Sequence, residues 1–225
     1  MPLLAYCMLD PAAQIALPPR GVRDSAVESL VESGIRCVVS NFDSPNVDLP
    51  ANPAPHFQKE DALRLHYVMS AIFQQAAIIP FRFPTLLPES DLRAFVKENS
   101  AAYLAALSRL REMVQMELRI ATTPSPTATS VSGTEYLRAL QAAAKARDDA
   151  AAAARDAAGP FAQEWRIRPL AQGLRCYALV RRDETGPFQE RMQALPISDI
   201  VTVAVSGPWP ATEFLEPTRA EGRQL

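Results

Sequence analysis

The chain has 225 residues, of which 48% are hydrophobic, 21% charged and 7% aromatic. At about 100–200 residues per domain this is one large domain or two small ones, and the apolar share is enough for a packed core, which excludes global disorder. The net charge of −2 provides no excess of basic groups to set against a phosphate backbone, so nothing here calls for a nucleic-acid partner.

Residues 3–9 form an apolar run that predicts a first strand. Residues 27–40 carry helix-compatible spacing at first and strand alternation later. The β-branched second half and the Ser33-Gly34 pair favour a hairpin turning there. Residues 43–55 hold four prolines and read as a long surface loop. A helix is predicted over 57–75, with Leu65, Val68, Met69, Ile72 and Phe73 on one side. Residues 77–83 are predicted as a short, mostly apolar strand. Pro88 introduces a second helix, with Glu89 and Asp91 in its first turn where acids favour the helix dipole. Its apolar side is Leu92, Phe95, Val96, Tyr103, Leu107 and Leu110. Residues 115–122 alternate Met116, Leu118 and Ile120 with Gln115, Glu117 and Arg119, the pattern of a half-buried strand.

Residues 121–133 are rich in Ser, Thr and Pro, uncharged and aperiodic, and read as a linker. The expected organisation is an N-terminal domain over 1–121, a linker over 122–132 and a C-terminal domain over 133–225. The second domain opens with an alanine-rich helix over 134–158, in which Leu137 and Leu140 supply the strong apolar contacts early. Alanine has high helix propensity but buries little area, so this helix packs shallowly or stays partly exposed. Gly159-Pro160 ends it. A strand over 174–180, a short helix over 188–195 and a β-branched strand over 200–205 follow. The fold class is α+β: two small domains, each a mainly antiparallel sheet with packed helices, at least one of them a candidate for the ferredoxin-like arrangement.

Catalytic signatures are missing from the sequence. There is no phosphate-binding glycine loop of either common type and no nucleophile elbow, and only 8 glycines in all. The three cysteines, Cys7, Cys37 and Cys176, are odd in number and have no CxxC spacing. Each sits in a strand-like run, as a small buried hydrophobe of a reducing compartment does, so a cytoplasmic location is expected. Two histidines, His56 and His66, without a Cys/His cluster give no zinc site, and no cofactor is expected. His66, alone on a helix, reads as a packed or surface residue. Asp148-Asp149 and Asp183-Glu184 are sequence neighbours that do not converge on one point. No run approaches the about 20 apolar residues of a spanning helix, and the start lacks the basic region of a signal peptide, so no membrane association is expected.

Two constellations stand out. In the first, Pro80-Phe81-Arg82-Phe83-Pro84, an extended backbone puts Phe81 and Phe83 on one side and Arg82 on the other. Arg82 either lays its stem over the sheet with a wet head, the favoured reading, or anchors a partner or pairs with an acid across a domain interface. The second is Ser206-Gly207-Pro208-Trp209-Pro210. Glycine lets the chain bend as it leaves the strand, and the prolines restrict the backbone on either side of one indole. Trp209 either closes the second core as a lid, the favoured reading, or stands out as a hot spot for a protein partner.

These elements resemble the GvpL/GvpF family of gas vesicle proteins. That family has a "vlP-(M/L)-RFGTvf" stretch followed by a helix, matched here by residues 78–87 and the helix from Pro88. It closes on a "tGPWPPYsF" signature, matched by residues 206–214 through Phe214. A Gly-x-x-Tyr-Leu opening to an Ala/Arg-rich helix is matched by Gly133, Tyr136 and Leu137, and His66 lies near a histidine common upstream of the RFG strand. Three positions depart: Pro84 replaces the glycine of RFG, and Ala211 and Thr212 replace the proline and tyrosine after GPWP. The resemblance implies a cytoplasmic or vesicle-associated accessory or minor structural protein without enzymatic chemistry. It implies binding to the hydrophobic shell protein GvpA or other vesicle accessory proteins, in nucleation and assembly. Phe81, Arg82, Phe83, Gly207, Pro208, Trp209, Pro210 and Phe214 are the candidate partner-binding or lid residues. The rival is a two-domain α+β enzyme with a cleft site, which requires a polar pocket where His66, a thiol or carboxylates converge. A nucleic-acid adaptor requires paired strand aromatics on a basic face, which only Phe81 and Phe83 approach.

Overall fold

A computed structural model describes residues 2–41, 57–122, 133–171 and 173–216. The expected loop at 43–55, His56 and, apart from Thr122, the expected linker at 122–132 lie outside them. The chain divides into two compact units, Met1–Arg111 with Leu215–Leu225, and Glu112–Phe214.

In the first unit, β2 (Val27–Glu32) and β3 (Ile35–Asn41) form the expected hairpin. Ser33 and Gly34 both take positive φ, 48° and 79°. This is the two-residue turn whose twist matches the paired strands. β1 (Pro2–Leu9) pairs antiparallel with β3, with a bulge between Ala5 and Cys7. On its other side β1 holds β4 (Ile79–Pro80) and β5 (Leu86–Pro88), giving the order β2-β3-β1-β4 with β5 also on β1. All of β1 from Leu3 to Leu9 is buried, which is why its sequence is a continuous apolar run rather than an alternating one. The helix α2 (Glu89–Arg109) sets Leu92, Val96, Tyr103 and Leu107 into one cluster with Leu3, Ala5, Met8, Ile35, Cys37, Val39 and Ile79. The helix α1 (Lys59–Phe73) buries Leu65, Val68, Ile72 and Phe73 and packs against β1 and the turn Val22–Asp24.

The strand expected over 77–83 shrinks to Ile79–Pro80. Pro80 and Pro84 bring no N–H, so the ladder breaks between them. The chain stays attached to β1 through Phe81 N–H on the Tyr6 carbonyl (2.9 Å) and Ala5 N–H on the Thr85 carbonyl (3.0 Å), and pairing resumes at Leu86.

The second unit runs β6 (Met113–Thr122), α3 (Gly133–Ala158), β7 (Ala162–Leu170), β8 (Gly173–Arg181), α4 (Thr185–Gln193) and β9 (Val201–Trp209). The sheet order is β7-β8-β6-β9 and every pair is antiparallel. This is the β-α-β-β-α-β ferredoxin-like topology. Four points differ from the expectations. The expected boundary places β6 in the first domain, but it is a central strand of the second sheet, so the units divide after Arg111 rather than after residue 121. The polar stretch that looks like an interdomain linker joins β6 to α3 within one unit. β7, which the sequence reading leaves unassigned, is an edge strand. And Leu137 and Leu140 do not anchor α3: they are 60% and 41% exposed, while Ala150, Ala151, Ala154, Ala157 and Ala158 form its buried face. Small side chains let this end of the helix lie close on the sheet, so the expected shallow packing is correct but sits in the second half.

Candidate partner-binding surface

The two constellations belong to different units. In the first, Phe81 is half-buried against the α2 cluster, its ring 6.2 Å from Phe95, which lies 6.0 Å from Tyr103. Phe83 turns instead to Phe57, edge-to-face at 4.7 Å, and the Arg23 guanidinium lies 5.4 Å from the far ring. The expected shared face of Phe81 and Phe83 is therefore not formed, because the backbone between the prolines is not a strand. Arg82 is exposed, and its carbonyl accepts the Thr85 hydroxyl.

In the second unit, β9 pairs Ser206 with Glu117 and then Trp209 with Gln115. Three steps on β9 answer two on β6, which is a bulge. Gly207 makes it possible: its φ is +124°, and a Cβ there would lie 2.9 Å from both the Gln115 carbonyl oxygen and Met116 Sδ. The extra residue reverses the alternation. Val201, Val203 and Val205 share one face, and strict period two would send Trp209 to that same face; the bulge sends it to the other.

Trp209 is accordingly 41% exposed, with its Nε1–H on Ser206 Oγ at 3.4 Å. It is not the lid of the second core. After Pro210 and the buried Ala211, the turn Thr212–Phe214 folds back over the sheet, and Phe214 is the residue with no exposure. Gln115 Oε1 accepts the Glu213 N–H at 3.0 Å. Arg166 stands 5.1 Å from the centre of the Phe214 ring and donates to the Glu213 carbonyl. Arg168 reaches the Glu213 carboxylate at 3.2 Å. Sequence reasoning missed Arg166, Arg168 and Gln115 as holders of this segment. The alternation of Trp165 and Ile167 with Arg166 and Arg168 was the available signal.

The groups that a catalytic reading needs are dispersed. Cys7, Cys37 and Cys176 are each fully buried. Burial pushes the Cys37 thiol up to about 12 and that of Cys176 to about 11. Burial, then the neighbouring Cys37, raises Cys7 as well. Such thiols are poor nucleophiles. His66 lies 3.3 Å from Ser70 on an exposed turn of α1. Among the described residues no three His, Cys, Asp or Glu side chains are grouped to hold a metal ion, and no helix is long and apolar enough to cross a membrane. A cavity of about 170 Å³ beside α2 is lined by Ala102, Ala105 and Ala106 with Tyr103, Arg109, Leu215 and Glu216.

Two crystal structures share this fold over almost their whole length. The gas vesicle protein GvpF from Anabaena sp. PCC7120 aligns with a TM-score of 0.74 at 10% identity, covering 97% of this chain and 97% of that one. GvpF from Microcystis aeruginosa aligns with a TM-score of 0.72 at 13% identity, covering 96% of this chain and 99% of that one. No curated protein matches the chain. Residues 2–216 match the family described as gas vesicle synthesis protein GvpL/GvpF, so the strand-to-Phe214 span described above lies within one family: the chain belongs to GvpL/GvpF.

Proposed function

We propose that this chain is a gas vesicle accessory or minor structural protein. It binds the hydrophobic shell protein GvpA, other vesicle accessory proteins, or both, and assists vesicle nucleation and assembly in the cytoplasm and at the vesicle. The observation that carries the reading is the family match over residues 2–216. The exposed Trp209 supports it. The bulge and the flanking Pro208 and Pro210 hold an indole outward on a restricted backbone, so little conformational entropy remains to be lost on binding. Aromatic anchors of this kind carry much of the energy of protein interfaces. The role needs no cofactor and no chemical step.

The test is affinity purification of the tagged chain from cells that co-express GvpA and the accessory proteins. Retention of at least one vesicle protein is expected, and Trp209→Ala should weaken it while leaving the fold intact. A folded chain that retains none of them refutes the role.

A further inference from the structure

Among the described residues the two sheets present four edges, and three carry features that discourage further pairing. β2 exposes Glu28, β4 and β5 are two and three residues long and end in proline, and β7 carries Arg166, Arg168 and Pro169. Charge, proline and shortness are how edge strands avoid adding a neighbour. β9 differs. Residues 201–206, Val-Thr-Val-Ala-Val-Ser, contain no charge and no proline, and among the described residues β6 is the one strand bonded to β9. Thr202, Ala204 and Ser206 are exposed, and Val203 and Val205 are only half-buried. Large apolar side chains stand exposed at both ends of the strand, Ile200 at 42% and Trp209 at 41%.

We propose that the free edge of β9 is a strand-addition site. An extended, uncharged segment of a partner protein adds to it as a fifth strand of the second sheet, with small or β-branched residues alternating along it. The Val201 N–H is taken by the Ser198 carbonyl at 2.8 Å, so main-chain groups of residues 202–206 on the side away from β6 supply the hydrogen bonds. The half-buried Val203 and Val205 take the partner's apolar side chains, and Ile200 and Trp209 close over its ends. An acidic or basic segment finds no complement, because residues 201–206 are neutral and the two charges across from them, Arg119 opposite Ala204 and Glu117 opposite Ser206, lie 3.8 Å from each other. A folded second copy of this chain fits less well. Six paired residues offer a strip about 20 Å long and about 10 Å deep, on the order of 200 Å². Stable folded pairs bury about 800 Å² per partner. An extended peptide needs only the strip.

The inference rests on the binding role proposed above only for the identity of the partner. It is therefore tested without any vesicle protein, so that either can fail alone. The probe is a peptide of alternating threonine and valine with blocked, uncharged ends and a polyethylene glycol tail for solubility, added to the full chain and followed by amide hydrogen exchange. Exchange over residues 202–206 should slow by about ten-fold or more. A control peptide with glutamate at the valine positions should give no protection. Ala204→Glu puts a carboxylate on the edge directly across from Arg119, a pairing the fold accommodates, and should weaken probe binding by about ten-fold or more with an unchanged melting temperature. If that variant fails to fold, Thr202→Glu, opposite Ala121, takes its place. Absent protection, protection confined to other elements, or equal binding of the glutamate peptide overturns the proposal. So does a wild-type dimer in sedimentation that Ala204→Glu dissociates, since the occupant is then a second copy.

Discussion

The opposed surroundings of Phe214 and Trp209 give a direct test of how the second unit closes. Phe214 has no exposed surface and Trp209 is 41% exposed, although tryptophan is the larger side chain and sits in the more conspicuous motif. Truncating a fully buried phenylalanine to alanine costs about 3–5 kcal/mol, the sum of lost transfer energy and the cavity left behind. Phe214→Ala also removes the ring face under Arg166, about 0.5–1 kcal/mol more. Trp209→Ala removes a partly wet side chain from a surface, leaves no closed cavity and should cost about 1–2 kcal/mol. Both tryptophans, Trp165 and Trp209, lie within Glu112–Phe214, so tryptophan fluorescence during urea unfolding reads this unit selectively. With an m-value of about 2 kcal/mol per M, Phe214→Ala should lower the midpoint by about 2 M and Trp209→Ala by less than about 1 M. Circular dichroism on the same samples covers the loss of one fluorophore in the second variant. A Trp209→Ala variant destabilised as much as Phe214→Ala would refute the reasoning, because it would make the indole the lid.

Three further outcomes are expected. Gly207→Ala should destabilise the second unit by at least about 2 kcal/mol, because φ is +124° there and the new Cβ meets the Gln115 carbonyl; a neutral result in the same urea assay would mean that the bulge relaxes freely. Burial alone would raise the Asp61 carboxyl, but the Gln58 N–H at 3.0 Å and the Arg23 guanidinium at 3.2 Å outweigh it and hold it below the ordinary value. A carboxylate depressed in the folded state stabilises at pH above its unfolded value and loses that contribution as pH falls through the folded one, so Asp61→Asn should flatten the loss of stability below about pH 4, and an unchanged acid limb would contradict this. The three thiols should resist a thiol-disulfide reagent near pH 8 in the native chain and all react after denaturation; rapid reaction of any native thiol would contradict the buried geometry.

Local signals were read correctly where the cause was local. Ser33-Gly34 supplies two positive-φ residues between alternating strands, and the hairpin follows. Glu89 and Asp91 mark the start of α2 and its apolar residues mark its buried side. The apolar run over residues 3–9 marks the strand β1. Of the candidate surface, the sequence identified Trp209 and Phe214 as special but assigned the burial to the wrong one. It also mistook a polar connection inside the second unit for the boundary between units.

The α+β class, most elements and the family resemblance follow from local pattern, because turn chemistry, periodicity and motif order are carried by neighbouring residues. The tertiary structure decided what depends on partners distant in the chain. β6 joins the second sheet because β8 and β9 return to it from about 55 to 95 residues further on. Trp209 faces outward because one extra residue opposite β6 reverses the alternation of the strand. Phe214 is buried because Gln115, Arg166 and Arg168, from two other strands, hold its segment down. The alternation around Arg166 and Arg168 marks a strand but not the segment it holds, since each of these contacts is set by the register between strands rather than by the pattern within one.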